Sequence, residues 1–72
     1  MISLKMQQLM NFLLENDGIQ FKDQKIYKSK RQFKLNMFLL MQCGLVKRNS
    51  FKYSLAWRGR TLIELLNKIG ID

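Results

Sequence analysis

Residues 40–60 read LMQCGLVKRNSFKYSLAWRGR, and this stretch decides the fold. Gly44 stops a helix, since a left-handed cap carries no side-chain penalty at glycine. Leu45-Val46-Lys47-Arg48 and Phe51-Lys52-Tyr53-Ser54-Leu55 then alternate apolar and polar residues with the period of a strand. Asn49-Ser50 between them supplies a tight turn, which predicts a short hairpin with a basic tip. A helix follows from about Arg58, with Leu62, Leu65, Leu66 and Ile69 at i, i+3, i+4 and i+7 and Gly70 as its left-handed cap.

Toward the N-terminus, Ser29-Lys30-Arg31-Gln32 has the form of a capping box, in which serine and glutamine each satisfy a free backbone N–H. The helix it opens runs to Cys43. Phe33, Met37, Leu40 and Met41 share its inward face, and Arg31 and Lys34 project outward. Its first half is polar and basic, whereas residues 35–41 are apolar nearly all round and are expected to be buried on several sides. Before it, Ile19 and Phe21 alternate with Gln20 as a short strand does, and residues 23–27 have room for one or two helical turns. A first helix carries Met6, Leu9, Met10, Leu13 and Leu14 on one stripe, with Ser3 as N-cap and Asn16-Asp17-Gly18 as the stop. Leu4 and Phe12 lie off that stripe. The expected class is α+β, mainly α, with three to four helices and one short hairpin in a single domain over residues 1–72.

The chain has 72 residues and a net charge of +8, unevenly spread. Residues 22–60 hold eleven of the thirteen Lys and Arg and only one acid, Asp23, so that stretch is strongly positive while the flanks are slightly negative. A concentrated cationic surface attracts a polyanion and is the expected footprint of phosphate contacts. A basic surface kept only for solubility is the plainer alternative.

Several classes of function are disfavoured by composition. With no histidine, one cysteine and five scattered acids, the sequence offers neither a zinc site, nor an internal disulfide, nor a constellation for acid–base or nucleophilic catalysis. No Gly-rich phosphate loop is present. The longest apolar run, residues 37–41, is far too short to span a bilayer, and the N-terminal stretch is interrupted by Lys5, Gln7, Gln8 and Asn11. The expectation is a soluble cytoplasmic protein without enzyme activity, cofactor, metal, membrane contact or small-molecule ligand. Cys43 reads as a small buried hydrophobe, the five methionines as core filler, and Tyr53 and Trp57 as packing aromatics.

Leu40, three residues, Gly44-Leu45-Val46-Lys47-Arg48, and then Tyr53-Ser54-Leu55-Ala56-Trp57-Arg58-Gly59-Arg60 resemble a pattern common in the winged helix-turn-helix domains of bacterial and archaeal transcription regulators. The resemblance is close over residues 35–66 and loose over the first helix. In the family Ala56 is usually a threonine that caps the last helix, and only ten residues separate Gly18 from Ser29, which cramps the second helix. The resemblance implies a reading helix in the major groove of double-stranded DNA and a wing over a neighbouring backbone or the minor groove.

Its DNA-binding residues are expected to be Lys28, Ser29, Lys30, Arg31, Gln32 and Lys34 on the helix, with Lys47, Arg48, Asn49, Ser50 and Lys52 on the wing. Arg31 is the first choice for base reading, because a guanidinium makes a bidentate contact to guanine. Arg58 and Arg60 oppose the dipole of the last helix and hint at a further phosphate. The function expected is that of a sequence-specific, repressor-like transcriptional regulator. A small unstapled core favours a homodimer through the first and last helices, whose surplus apolar residues are Leu4, Phe12 and Ile63. The alternatives are a winged protein-interaction module that docks an acidic partner and a nonspecific or RNA-binding protein. The scarcity of aromatics available for stacking counts against the last.

Overall fold

A computed structural model describes residues 3–70. Helix α1 (Leu4–Glu15) opens at Ser3, whose Oγ accepts from Met6 N at 3.2 Å. It buries Met6, Leu9, Met10 and Leu13 of the predicted stripe, while Leu14, expected with them, is only partly buried, as is the off-stripe Phe12. Helix α2 (Lys30–Gln42) opens at Ser29, whose Oγ accepts from Gln32 N, and presents Phe33, Met37 and Leu40 to the interior. Strands β1 (Val46–Asn49) and β2 (Lys52–Leu55) form an antiparallel hairpin, and α3 (Trp57–Ile69) closes the chain at Gly70 with φ 81°. The described residues thus form a small α+β fold, mainly helical, with three α-helices and one hairpin.

Phe33 is the hub of the core. It is 1% exposed and meets Phe21, Tyr27 and Tyr53 edge-on, at centroid distances of 5.4, 6.4 and 5.6 Å. Such perpendicular contacts set the positive ring edge against the negative ring face. Tyr27 is buried and its pKa is raised, because burial disfavours the phenolate. The Ser3 hydroxyl pulls slightly the other way, although no bond of regular geometry reaches Tyr27 Oη.

The segment between α1 and α2 departs from expectation. Ile19 does behave as a one-residue strand, exchanging two backbone hydrogen bonds with Tyr53 at 2.9 and 2.8 Å. Phe21, expected in the strand, and Asp23 fall instead in one 3₁₀ turn, Phe21–Asp23, and residues 24–27 form no helical turn. Gln24 is the cause. Its buried carboxamide donates to Phe21 O and Tyr27 O and accepts from Tyr27 N, so a side chain supplies the bonds that a helical backbone would make.

Three other expectations are corrected. Residues 35–41 are not covered all round: Leu35, Phe38 and Leu39 are 56%, 53% and 45% exposed, because α2 packs by one stripe and, among the described residues, no element lies over its outer face. The hairpin turn is Ser50-Phe51 and not Asn49-Ser50. The register that pairs Val46 with Leu55 buries both, sets Asn49 opposite Lys52, and leaves Ser50 at φ 60°. Finally, α3 is rotated from its predicted stripe. Ile63, expected to be surplus, is 0% exposed, while Leu65 and Ile69 face solvent.

Gly59 explains that rotation. A Cβ at this position would lie 2.0 Å from Leu45 O and 2.9 Å from Leu55 Cδ2, so only glycine lets α3 touch the base of the hairpin. Residues three, four and seven positions on share its face, which turns Leu62, Ile63 and Leu66 inward. Ala56 N donates to Leu45 O at 3.0 Å, and Asn67 Nδ2 donates to Asn11 Oδ1 at 2.7 Å, fixing the two ends of α3. Ala56 itself provides no side-chain cap.

Candidate functional site

All eleven residues expected to bind DNA are exposed, but the fold divides them into groups. Lys28 and Ser29 lie in the approach to α2, and Ser29 Oγ is engaged as the helix cap. Lys30, Arg31, Gln32 and Lys34 occupy the first turns of α2, opposite or flanking the buried Phe33. On the hairpin, the pairing Lys47–Ser54, Arg48–Tyr53 and Asn49–Lys52 sorts side chains by alternation. Arg48 shares the face of Val46 and Tyr53, whereas Lys47, Asn49 and Lys52 belong to the opposite face.

One cleft of about 340 Å³ gathers part of the predicted set. Lys30 and Lys34 enter it from α2 and Arg48 from β1; Lys22, from the 3₁₀ turn, completes four cations. Among the described residues, no acidic side chain lines it. The nearby Asp23 is occupied in holding the turn, accepting from Gln20 N at 2.8 Å. The remaining walls are Gln20 and the rings of Phe21, Phe33, Phe51 and Tyr53. Arg48 is anchored above this floor, its Cζ 5.9 Å from the Tyr53 ring centroid and its Nε donating to Ser50 O at 3.1 Å.

Lys22 and the aromatic walls were not among the expected site residues. Lys22 stood out in sequence only as part of the basic stretch, and Phe51 only as a strand residue. What places Phe51 at the cleft is the one-residue shift of the turn, together with the Ile19–Tyr53 bridge that draws the 3₁₀ turn against β2.

The other singled-out residues lie elsewhere. Arg58 packs over the C-terminal end of α2, where a Cβ on Gly44 would lie 3.7 Å from its Cδ and 3.9 Å from Nη1. A cation there favours the α2 dipole, so its position also has a structural reason. Arg60 is exposed on α3. Cys43 caps α2 and is exposed, not buried; Trp57 is 75% exposed and is not core packing. Met6, Met10 and Met37 are core, Met41 packs against it, and Met1 lies outside the described residues.

A second concavity of about 330 Å³ lies at the other end of α2, lined by Phe38, Leu39 and Leu40 with Met6, Cys43 and Leu45. Among the described residues, no group of His, Cys, Asp and Glu is arranged to hold a metal ion, and no helix is long and apolar enough to cross a membrane. No family model, curated protein or solved structure matches the chain.

Proposed function

We propose that the protein is a transcriptional regulator of winged-helix type, with a single 3₁₀ turn where a helix-turn-helix has its second helix, that binds double-stranded DNA in a sequence-specific manner and represses by occupying its site. The convergence of Lys22, Lys30, Lys34 and Arg48, from three elements, on one acid-free cleft carries this reading. Clustered cations bind phosphates with release of counterions, and the first turns of an exposed helix have the dimensions to enter a major groove. The pairing of Ile19 with β2, and of β2 with β1, also supports a winged layout: a short strand after the first helix extends the wing.

In this arrangement Arg31 reads a base edge, while Lys30 and Lys34 on α2 and Lys47, Arg48 and Lys52 on the hairpin hold phosphates. Arg31→Ala is expected to lower affinity for the preferred site by ~1–3 kcal/mol and for unrelated DNA by much less. Arg31→Lys restores charge without restoring that ratio. Lys47→Ala and Lys52→Ala weaken binding to every sequence alike, each flattening the log–log salt dependence by about one unit. Titration of preferred and scrambled duplexes, the former chosen by selection from a random pool, tests this. Equal losses on both duplexes for Arg31→Ala make Arg31 a phosphate contact, and flat recovery from the pool removes specificity altogether.

A homodimer through α1 and α3 belongs to the same proposal, built on Leu4, Leu65 and Ile69, which are exposed. Phe12 and Ile63 pack into the core and are not available for it. Sedimentation that shows only monomer at high concentration removes this part.

The outer face of α2 favours a second reading. Leu35, Phe38 and Leu39 follow one another at helical spacing in solvent, an apolar strip that duplex DNA does not use. A protein-interaction module would dock a partner there. A protein complex that persists at physiological salt while DNA binding is lost would select that reading.

A further inference from the structure

The cleft between α2 and the hairpin contains more than a duplex needs. Phosphates of a double helix are served by Lys22, Lys30, Lys34 and Arg48 alone. Yet the walls between these cations are aromatic, and ring faces are of no use to a duplex whose bases are stacked on one another. An unpaired nucleotide offers both halves of the match, an anionic phosphate and a free π-face.

The rings play different parts. Phe33 is buried and edge-on to three neighbours, so it forms the floor and is committed to the core. Tyr53 is half-buried and has the Arg48 guanidinium over its face. Phe51 is 76% exposed at the hairpin turn and is not part of the buried core. Leaving a phenylalanine in water at a tight turn, where a polar residue would serve, is unfavourable by the hydrophobic effect. A base stacked on it would remove that exposed surface. The volume of about 340 Å³ falls at the small end of the ligand-pocket range, ~300–1,000 Å³, which suits one nucleotide and not a base pair held in its helix.

We propose that this cleft holds one unpaired nucleotide of a nucleic-acid strand, its base against Phe51 and its phosphate among Lys30, Lys34 and Arg48. The inference rests on the reading that this face binds nucleic acid and adds what part of the polymer the cleft takes. The half-buried Gln20 stands at the wall as a hydrogen-bonding group for a base edge. Duplex ends, bubbles and single-stranded tails then become preferred targets over continuous duplex.

The test compares three probes on the whole protein by fluorescence anisotropy at low and at physiological salt: a blunt duplex, the same duplex with a short oligothymidine tail, and the same duplex with an abasic tail. The abasic tail keeps every phosphate and removes every base. The thymidine tail is expected to tighten binding about 10-fold over blunt duplex, the range of one base–aromatic stack. The abasic tail contributes only a gain that disappears as salt is raised. Phe51→Ala brings the thymidine tail down to the abasic one, and Phe51→Trp retains the difference.

Equal gains from the two tails, or an undiminished gain in Phe51→Ala, overturn the proposal. So does free thymidine monophosphate that displaces the tail as well as a thymidine oligomer does, since that would make the cleft a small-molecule site. The outcomes separate this inference from the reading beneath it. Tight binding of blunt duplex with no gain from a thymidine tail ends the inference and leaves duplex binding intact. Binding of the tail without binding of the duplex does the reverse.

Discussion

The root of the hairpin and its tip are built from different kinds of contact. At the root, Val46 and Leu55 face each other inside the core, Leu45 O accepts from Ala56 N, and α3 lies so close that Gly59 has no room for a Cβ. At the tip, Asn49, Ser50, Phe51 and Lys52 are all exposed, and Ser50 takes a left-handed φ of 60°. A few residues apart, the root is specified by exclusion of space and the tip is left to solvent or to a ligand. The tip can therefore change what it contacts without disturbing the fold, provided the root holds.

Gly59→Ala is the severest way to break this comparison. The new methyl group meets backbone, which cannot rotate away, so α3 must move off the hairpin. A loss of about 3 kcal/mol or more is expected, at the upper end of overpacking effects, out of a total stability on the order of 5–10 kcal/mol for a domain of this size. Thermal denaturation checks it. An unchanged melting point would mean that α3 and the root are not in the contact described.

Ala56→Ser sharpens the root instead of breaking it. Ala56 already has the extended backbone of an N-cap, φ −73° and ψ 163°, and lacks only the oxygen. The variant should gain about 1 kcal/mol by satisfying a free N–H in the first turn of α3. A melting point equal to that of the parent would show that the oxygen does not reach.

Ser50→Gly addresses the tip and carries the smallest effect. Relief of the positive φ is partly offset by the greater freedom of glycine in the unfolded chain, so a gain of about 0.5 kcal/mol is expected. Chemical denaturation should show it as a shifted midpoint at unchanged slope. A loss of stability would place the strain elsewhere in the turn.

Local signals made most of the element list readable. The α1 stripe, the Ser3 and Ser29 caps and the Gly70 stop each depend on neighbours within one or two turns, and each appears where its residues place it. Features set across the chain were not readable. The rotation of α3 depends on Gly59 meeting Leu45, and the 3₁₀ turn depends on a side chain, Gln24, satisfying carbonyls that a helix would have used. Exposure of Leu35, Phe38 and Leu39 depends on how few elements are present to cover α2.

The candidate site divides in the same way. Lys30, Lys34 and Arg48 could be chosen by charge and position on their own elements. That they share a cleft with Lys22 and Phe51 follows from the Ile19–Tyr53 bridge, for which a single alternating residue is too weak a signal.

That bridge has a consequence for association between copies of the chain. A two-stranded sheet has two open edges, each a row of unpaired amides and carbonyls on which another chain can grow a strand. Ile19 occupies the β2 edge at Tyr53, and Gly18 lies beside Lys52. The β1 edge has no strand against it among the described residues, and there the exposed Lys47 and Arg48 confront any second copy with like charge. Removing the segment through Gln20 would strip one guard, and neutralising Lys47 and Arg48 would weaken the other. The same cations proposed to hold phosphates thus also keep the hairpin from becoming a template for aggregation.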